Sequence, residues 1–165
     1  MSVKFHKVSK LEWMKRKPLD ASDLLWSELY DDIIIPQRKT RWSAGYDFHS
    51  PYTFSLAPGE SALIETGIKI ELNPNQVLLF FPRSSMGFKY FMRIANTIPV
   101  VDADYFGNPD NEGHIFIKIR NEGDKPMDIH RGEAFVQGVI NEYCIVDEDS
   151  FDTGLGRLGG IGSTN

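Results

Sequence analysis

The sequence predicts an all-β barrel or sandwich with one helix near its start, and two observations carry that prediction. After Pro36 the chain consists of short strand-like segments separated by Gly, Pro and Asn at intervals of roughly ten residues, as in β-barrels and sandwiches. Before Pro36, Asp20 or Ser22 can cap a helix that carries Leu25 and Leu29 four positions apart. We therefore expect a helix-bearing insertion ahead of the main β domain.

The individual strands are predicted from alternation of apolar and polar residues and from the turn residues between them. Residues 3–8 alternate in this way, which is typical of a half-buried strand. The other predicted strands are 52–56, 61–65, 67–72, 77–81, 115–120, 135–140 and 142–146. We expect one β domain over residues 1–150, with the helical insertion at about 9–36. The glycine-rich segment 151–165 is predicted to be a tail that is mobile unless a ligand orders it.

The amino-acid composition limits the classes of function that this chain can have. Eighteen Lys and Arg against 23 Asp and Glu give a formal charge of −5, which argues against a nucleic-acid-binding protein. The single cysteine, Cys144, excludes an intrachain disulfide framework, and we expect it to be buried in the strand 142–146. No signal peptide and no membrane-spanning run are visible, so we expect a cytoplasmic protein with no membrane partner.

A candidate phosphate-binding segment follows the predicted strand 77–81. Arg83, Ser84 and Ser85 should emerge at the end of that strand, ahead of Gly87. Two hydroxyls before a glycine suit a tight turn or a helix start with available backbone N–H groups. A guanidinium adds a fork that can bind phosphate oxygens through two hydrogen bonds. Taken alone, the segment fits a capped turn carrying a surface arginine better than a phosphate site.

A second candidate is the pair of carboxylates Asp102 and Asp104. If the segment is extended, both side chains lie on one face, with Ala103 on the other. Such a pair can bind a metal ion, or one carboxylate can act as a base whose pKa the other raises. A solvated turn ahead of the turn residues 107–111 is the alternative.

The tail is a third candidate, because Arg157, Ser163 and Thr164 supply donors beside glycines that allow close backbone approach to a polyanion. Together the three candidates suggest a triphosphate clamp with a nearby base.

Five segments in order resemble the five motifs of the trimeric dUTP diphosphatases (dUTPases). They are residues 43–48, 82–85, 96–105, 131–137 and 159–164. Residues 66–70 are also similar to the family, and the match extends from about residue 37 to the end of the chain. Each motif alone is weak evidence for the family, but five motifs in the same order along the chain are specific to it.

The resemblance implies a distorted jelly-roll-like β fold and a homotrimer with active sites between subunits. The implied reaction is hydrolysis of dUTP to dUMP and pyrophosphate, with Mg²⁺ held by the triphosphate. Asp102 matches the carboxylate that activates water for attack on the α-phosphorus. Asp47 and Asp104 match residues with supporting structural roles.

The resemblance also assigns substrate contacts. Tyr105 matches the tyrosine that packs on the deoxyribose and leaves no room for a 2′-hydroxyl, and the segment from Asn96 to Val101 matches the hairpin that reads uracil. The residues that match phosphate-side contacts are Arg83, Ser84, Ser85 and Gln137. The residues that match the closing lid from a neighbouring subunit are Arg157, Gly160, Ile161, Ser163 and Thr164.

The chain departs from the family pattern at several positions. Ile161 replaces a phenylalanine that stacks on uracil, Pro99 replaces a hairpin glycine, and Ala134 replaces an arginine. Arg157 is slightly offset, the turn 107–113 is longer, and the helix-bearing insertion is atypical.

Two alternatives remain. A dCTP deaminase, including a bifunctional enzyme, shares the fold and an Arg-Ser-Ser segment, but is expected to carry a glutamate in the strand at 114–120, where this chain has no acidic residue. A regulatory protein built on the same scaffold would bind a protein partner through residues 9–36 or the turn 107–113.

Overall fold

The computed structural model describes residues 2–149 of the chain. Its elements, in order, are β1 (Lys4–Lys7), α1 (Lys10–Met14), α2 (Asp23–Asp31), β2 (Gln37–Arg38), β3 (Tyr46–His49), β4 (Phe54–Leu56), β5 (Ser61–Glu65), β6 (Ile68–Glu71), β7 (Gln76–Pro82), α3 (Ser84–Tyr90), β8 (Met92–Ile94), β9 (Val100–Asp102), a 3-10 turn (Ala103–Tyr105), β10 (Phe116–Asn121), β11 (Met127–Ile129) and β12 (Ala134–Glu142).

The strands form four antiparallel groups. The largest has five strands in the order β2-β3-β12-β7-β9, and a three-stranded group has the order β5-β10-β8. Two pairs, β1-β6 and β11-β4, complete the described part of the chain. The order is far from sequential, because strands that pair are widely separated in the chain. This arrangement confirms the predicted all-β, jelly-roll-like class.

The core lies between these sheets and follows the predicted alternation. In β10, Ile117 and Ile119 are buried, while Lys118 and Arg120 between them are exposed. From the other strands the core takes large apolar side chains that are almost fully buried. These are Phe48, Ile64, Phe80 and Phe135. Each buried side chain of this size contributes about 1.5–3 kcal/mol relative to exposure.

The insertion contains two helices rather than the one predicted. Ser22 caps α2 as expected, and Leu29 is buried, but Leu25 is half-exposed because the buried face of α2 runs through Trp26. The additional helix α1 places Trp13 against Trp26 with ring centroids 4.5 Å apart. Each indole N–H donates to the other residue's carbonyl oxygen, at 2.7 Å and 2.9 Å. This reciprocal pair joins the two helices.

The prediction of a strand at 142–146 is wrong. Glu142, the last residue of β12, pairs with Gln76, the first residue of β7, so the register leaves no partner strand beyond it. Cys144 is therefore exposed rather than buried, and Val146 has 76% of its surface accessible.

No helix within residues 2–149 is long and apolar enough to cross a membrane; α2, with nine residues, is the longest described. The predicted tail at 151–165 lies outside the described residues.

Candidate active site

The site residues predicted from the sequence form two groups at opposite ends of β7. We call the group around Arg83, Asp47, Gln137 and Ser84 the Arg83 cluster. The group around Asp102 and Tyr105 is the Asp102 cluster. The strand register places the two groups far apart: Asp102 lies opposite Val77 near the start of β7, and Arg83, six positions after Val77, directly follows the last residue of that strand. At the rise of an extended strand, that is roughly 20 Å. One copy of the chain therefore does not bring Asp102 and Arg83 together.

The Arg83 cluster is assembled by the sheet. Gln137 in β12 pairs with Asp47 on one side and with Phe81 on the other, which places motif residues on neighbouring strands. The Arg83 Nε atom lies 3.1 Å from Asp47 Oδ1, and Arg83 Nη1 donates to the Ala134 carbonyl oxygen at 3.0 Å. These contacts hold the guanidinium in one orientation beside the sheet edge. Asp47 is thereby the ion-pair partner of Arg83.

Ser84 and Ser85 open α3, so of the two alternatives expected here, a tight turn or a helix start, the structure has the helix start. Arg83 is the N-cap residue with extended backbone, and both serines are exposed in the first turn. The first N–H groups of a helix have no partner within it, so this turn presents backbone donors beside two hydroxyls. Ser84 lines a cavity of about 190 Å³ together with Arg83 and Gln137.

Sequence reasoning missed several residues that line this side of the molecule. Lys39 and Thr40 border the 190 Å³ cavity, and Arg38 and His49 border an adjoining cavity that also contains Arg83. Burial lowers the pKa of His49, with nearby Arg83 acting in the same direction and Asp47 opposing it. The basic residues Arg38 and Lys39, a few positions before the first motif, were the available signal. The cavities therefore have more cationic groups than the motifs alone indicate.

The space around position 45 explains why the first motif has a glycine there. A Cβ atom at this position would overlap the side-chain amide of Gln137. Gln137 in turn donates from Nε2 to the Pro82 carbonyl oxygen at 3.3 Å. A larger residue at position 45 would therefore displace the end of the Gln137 side chain from its contact with Pro82.

The Asp102 cluster differs from its predicted geometry. Asp102 is the last residue of β9, and Ala103–Tyr105 turns into a 3-10 helix, so the chain is not extended across Asp104. The expectation that both carboxylates share one face of an extended segment is wrong for this reason. Both residues are exposed. Asp102 alone lies at the strand end.

Tyr105 is held through its hydroxyl. It is 7% exposed; its hydroxyl donates to the His114 carbonyl oxygen at 2.9 Å and accepts from Asn111 Nδ2 at 2.7 Å. Neither Asn111 nor His114 was singled out from the sequence. The only signal was that Asn111 follows a turn-forming segment.

The hairpin that contains Asn96 joins β8 to β9. Thr97 adopts a positive φ of 65°, and its N–H donates to the Ile94 carbonyl oxygen at 3.0 Å, closing the turn. Pro99 is buried, and its carbonyl oxygen accepts from the Phe80 N–H at 3.1 Å. Proline is therefore compatible with the hairpin, since this bond uses only its carbonyl group. Asn96 is exposed and Val101 half-buried.

The remaining predicted site residues lie outside the described residues. They are Arg157, Gly160, Ile161, Ser163 and Thr164. Within residues 2–149, no group of three or more His, Cys, Asp or Glu side chains is placed to hold a metal ion.

Comparison with known proteins identifies the family. A sequence profile of the family described as dUTPase matches residues 31–153. The chain belongs to the dUTPase family. The match begins at the last residue of α2, so α1 and most of α2 precede it.

Individual relatives give the same result. The deoxyuridine 5′-triphosphate nucleotidohydrolase of Lactococcus lactis is 44% identical over 132 residues, covering 80% of this chain and 88% of the relative. The enzyme of that name from Shewanella woodyi is 34% identical over 147 residues, covering 84% and 91%. The crystal structure of dUTPase from Streptococcus mutans superposes with a TM-score of 0.67 at 31% identity, covering 87% of this chain and 98% of that one.

Proposed function

We propose that this protein hydrolyses dUTP to dUMP and pyrophosphate by attack of water on the α-phosphorus. The observation that carries the proposal is the agreement of residues with motifs in a chain of the dUTPase family. Asp102 is exposed at the end of β9, and Arg83 is oriented by Asp47 beside a serine-bearing helix start. The relatives from Lactococcus lactis and Shewanella woodyi are named for the same reaction.

The reaction needs a base and a set of cations. Asp102 orients a water molecule and takes one of its protons as the oxygen attacks the α-phosphorus. The bond from that phosphorus to the oxygen bridging to the β-phosphate breaks, and pyrophosphate leaves with the bond's electron pair. Arg83 and the donors of the α3 start stabilise the negative charge on the phosphate chain. Gln137, Ser84 and Ser85 complete the phosphate contacts.

Magnesium fits this site as an ion carried by the substrate. The described carboxylates are not grouped in a way that would hold a divalent ion without help, whereas Mg²⁺ is commonly bound by substrate phosphates and one or two carboxylates. When bound, Mg²⁺ neutralises charge on the phosphate oxygens. A dUTPase from a phage of Staphylococcus aureus has been described with a structural Mg(II) ion, although its 18% identity to this chain is evidence of shared fold alone.

The Asp102 end recognises the nucleoside. The buried ring of Tyr105 packs against the deoxyribose and excludes a 2′-hydroxyl, while the hairpin from Asn96 to Val101 reads uracil through hydrogen bonds. A site built to pair with specific base edges rejects the wrong base, because its own polar groups would otherwise lose their partners.

We further propose a homotrimer whose sites form between copies. The separation of roughly 20 Å between Asp102 and Arg83 supports this, since one copy cannot apply both to a single phosphate chain. Ile98 and Val100 of the hairpin are 44% and 55% exposed, and a neighbouring copy would cover them. The residues Arg157, Gly160, Ile161, Ser163 and Thr164 would close over the triphosphate as a lid from another copy.

The proposed partner is a small nucleotide in the cytoplasm rather than a nucleic acid. The net charge of −5 opposes binding to a long polyanion, while Arg38, Lys39 and Arg83 provide a local cationic site.

The test is pyrophosphate release with Mg²⁺ when dUTP, dCTP, dTTP and UTP are offered separately. We expect turnover of dUTP alone. Asp102→Asn should abolish it, while Asp124→Asn, which alters an exposed carboxylate outside both clusters, should leave it unchanged. Release of ammonia from dCTP would instead assign a deaminase. Absence of turnover with every nucleotide would contradict the proposal and favour a protein-binding role for residues 9–36.

A further inference from the structure

The helical insertion at about 9–36 is hydrogen-bonded to the loop that follows the Asp102 cluster. We call residues 107–114 the 107–114 loop. Ser9, the N-cap of α1, donates through its backbone N–H to Glu112 Oε2 at 3.0 Å, and its hydroxyl donates to Glu112 Oε1. Lys69 donates to the same carboxylate at 2.8 Å. Glu112 has a positive φ of 60°, so its side-chain contacts help to hold a backbone conformation that is unfavourable for this residue type.

A second contact between α1 and the loop is fully buried. Glu12 and His114 are both inaccessible to solvent, and His114 Nδ1 lies 3.4 Å from Glu12 Oε1. The other ring nitrogen, Nε2, accepts from the Gly67 N–H at 2.9 Å, so the proton belongs on Nδ1 and is directed at Glu12. Arg16 lies 2.9 Å from Glu12 and compensates its charge. A buried polar network of this kind fixes the positions of its members.

The loop in turn holds Tyr105. The tyrosine hydroxyl bonds to Asn111 and to the His114 carbonyl oxygen, and the Asn108 N–H donates to the Tyr105 carbonyl oxygen at 3.2 Å. Gly113 packs so closely that an added Cβ would lie 2.5 Å from the Tyr105 carbonyl oxygen. Both ends of Tyr105, its hydroxyl and its backbone, are therefore fixed by the loop.

The insertion is anchored elsewhere as well, so it can act as a rigid support. The Trp13–Trp26 pair joins its two helices, and Asp32 at the end of α2 forms an ion pair with Arg131 in the fourth motif. The support thus reaches from the fourth motif to the back of the Asp102 cluster.

We propose that α1 is a positioning element for Tyr105, acting through Ser9, Glu112 and the 107–114 loop to set the preference for a deoxyribose over a ribose nucleotide. The inference rests on the proposed function, in which the Tyr105 ring is the surface that excludes a 2′-hydroxyl. Exclusion of the 2′-oxygen requires a Tyr105 ring that stays in one position. A displacement of about 1 Å in a positioned group is enough to change the reaction rate strongly. Ser9 and Glu112 are positioning residues, since neither is placed to contact the nucleotide.

Two test variants, a matched control and a conservative rescue variant test the proposal. Ser9→Ala removes the hydroxyl bond to Glu112, and Glu112→Gln removes the charge that binds Lys69 and Ser9. Ser22→Ala is the control, because Ser22 caps α2 in the same way but has no bond to the loop. Ser9→Thr retains the hydroxyl and should restore wild-type behaviour. Each variant is assayed for kcat and KM with dUTP and with UTP, and amide hydrogen exchange is followed in the 107–114 loop.

We expect Ser9→Ala and Glu112→Gln to lower the ratio of kcat/KM for dUTP to that for UTP by roughly tenfold, chiefly through better use of UTP. Exchange in the loop should rise in both. Ser22→Ala, which loses a helix cap but no bond to the loop, should lower the melting temperature while leaving the dUTP-to-UTP ratio and the hydrogen exchange of the 107–114 loop unchanged.

If Ser9→Ala and Glu112→Gln both hydrolyse dUTP with an unchanged dUTP-to-UTP ratio of kcat/KM, the inference is overturned and the proposed function stays intact. Equal loss of discrimination in Ser22→Ala would also overturn it, because the effect would then follow stability alone. A wild-type protein that does not hydrolyse dUTP would contradict the proposed function itself, and is recognised before any variant is made.

Discussion

The Arg83 cluster and the Asp102 cluster occupy opposite ends of β7 and are held by different kinds of contact. At the Arg83 end, the side chains come from adjacent rungs of one sheet, and a single ion pair with Asp47 orients the guanidinium. At the Asp102 end, the chain leaves the sheet, and the neighbouring Tyr105 is held by a polar loop braced by α1.

The difference shows two ways of placing functional groups. At the Arg83 end, backbone pairing of β3 with β12 places Asp47 opposite Gln137. The support of Tyr105 uses residues about a hundred positions away in sequence, as in the contact of Ser9 with Glu112. Substitutions at the Arg83 end should therefore change chemistry with little effect on stability. Substitutions behind Tyr105 should affect stability as well.

The largest effect is expected at the Arg83 end. Arg83→Lys keeps the positive charge but loses the planar fork that can contact Asp47 and phosphate together. We expect kcat/KM for dUTP to fall about a hundredfold, with little change in the unfolding midpoint. Arg93→Lys, which alters an exposed arginine paired with Glu122, is the matched control and should change neither. A large loss of stability in Arg83→Lys would contradict the comparison.

The Asp102 end should respond to pH through His114. Burial lowers the pKa of His114 to about 4 from 6.5, with Arg16 acting in the same direction and Glu12 opposing it. Between these values the unfolded imidazole binds a proton that the folded one does not, so stability falls as pH falls from about 6.5 to 4. The loss amounts to about 3 kcal/mol at most.

Chemical denaturation at intervals of pH measures this dependence. His114→Gln should flatten the curve over that window. His49→Gln at the Arg83 end should flatten it less, because His49 is only half-buried. If His114→Gln and His49→Gln change the pH dependence of stability equally, the proposed difference between the two ends of β7 is wrong.

The smallest effect separates two loop glycines. Gly113 and Gly107 both have positive φ, of 84° and 75°, so alanine is strained at either position. At Gly113 the added Cβ would also meet the Tyr105 carbonyl oxygen, whereas at Gly107 it would enter open space. We expect Gly107→Ala to cost about 1 kcal/mol and Gly113→Ala about 2–3 kcal/mol.

Urea unfolding gives both values, and the ratio of dUTP to UTP turnover should fall only in Gly113→Ala. If the two substitutions lower the free energy of unfolding equally, the close contact between Gly113 and Tyr105 does not limit the size of the residue at position 113.

Much of the fold was predictable because alternation in the strands is a local property. The strand at 61–65 was predicted with its observed bounds, and a helix start was one of the two structures that the serines after Arg83 indicated, the other being a tight turn. The strand at 142–146 was not correctly predicted, because its apolar residues satisfy strand propensity while the register of β12 leaves them without a partner. Helix α1 was missed since it is only five residues long and depends on the contact of Trp13 with Trp26.

The candidate site divides in the same way. The Arg83 cluster was identified from its motifs, but Lys39 and His49 join it only through folding. The departure from an extended chain at Ala103 could not be read from the alternation of Asp102 and Asp104. The support of Tyr105 by Asn111 and His114 depends on a loop whose bonds no spacing rule describes.

Mixing two inactive variants tests the central claim most directly, namely that the two ends of β7 act together only between copies of the chain. Asp102→Asn and Arg83→Ala are co-expressed with different tags and purified through both tags. Each variant alone should be inactive with dUTP. Every doubly tagged trimer contains both variants, so one of its three sites should combine an intact Asp102 with an intact Arg83 from a neighbour, and activity should return to about a third of the wild-type value.

A mixture of Asp102→Asn with Asp102→Ala is the control and should remain inactive. If the doubly tagged assembly of Asp102→Asn and Arg83→Ala is as inactive as its parents, the two ends do not complement each other between copies, and the account is contradicted.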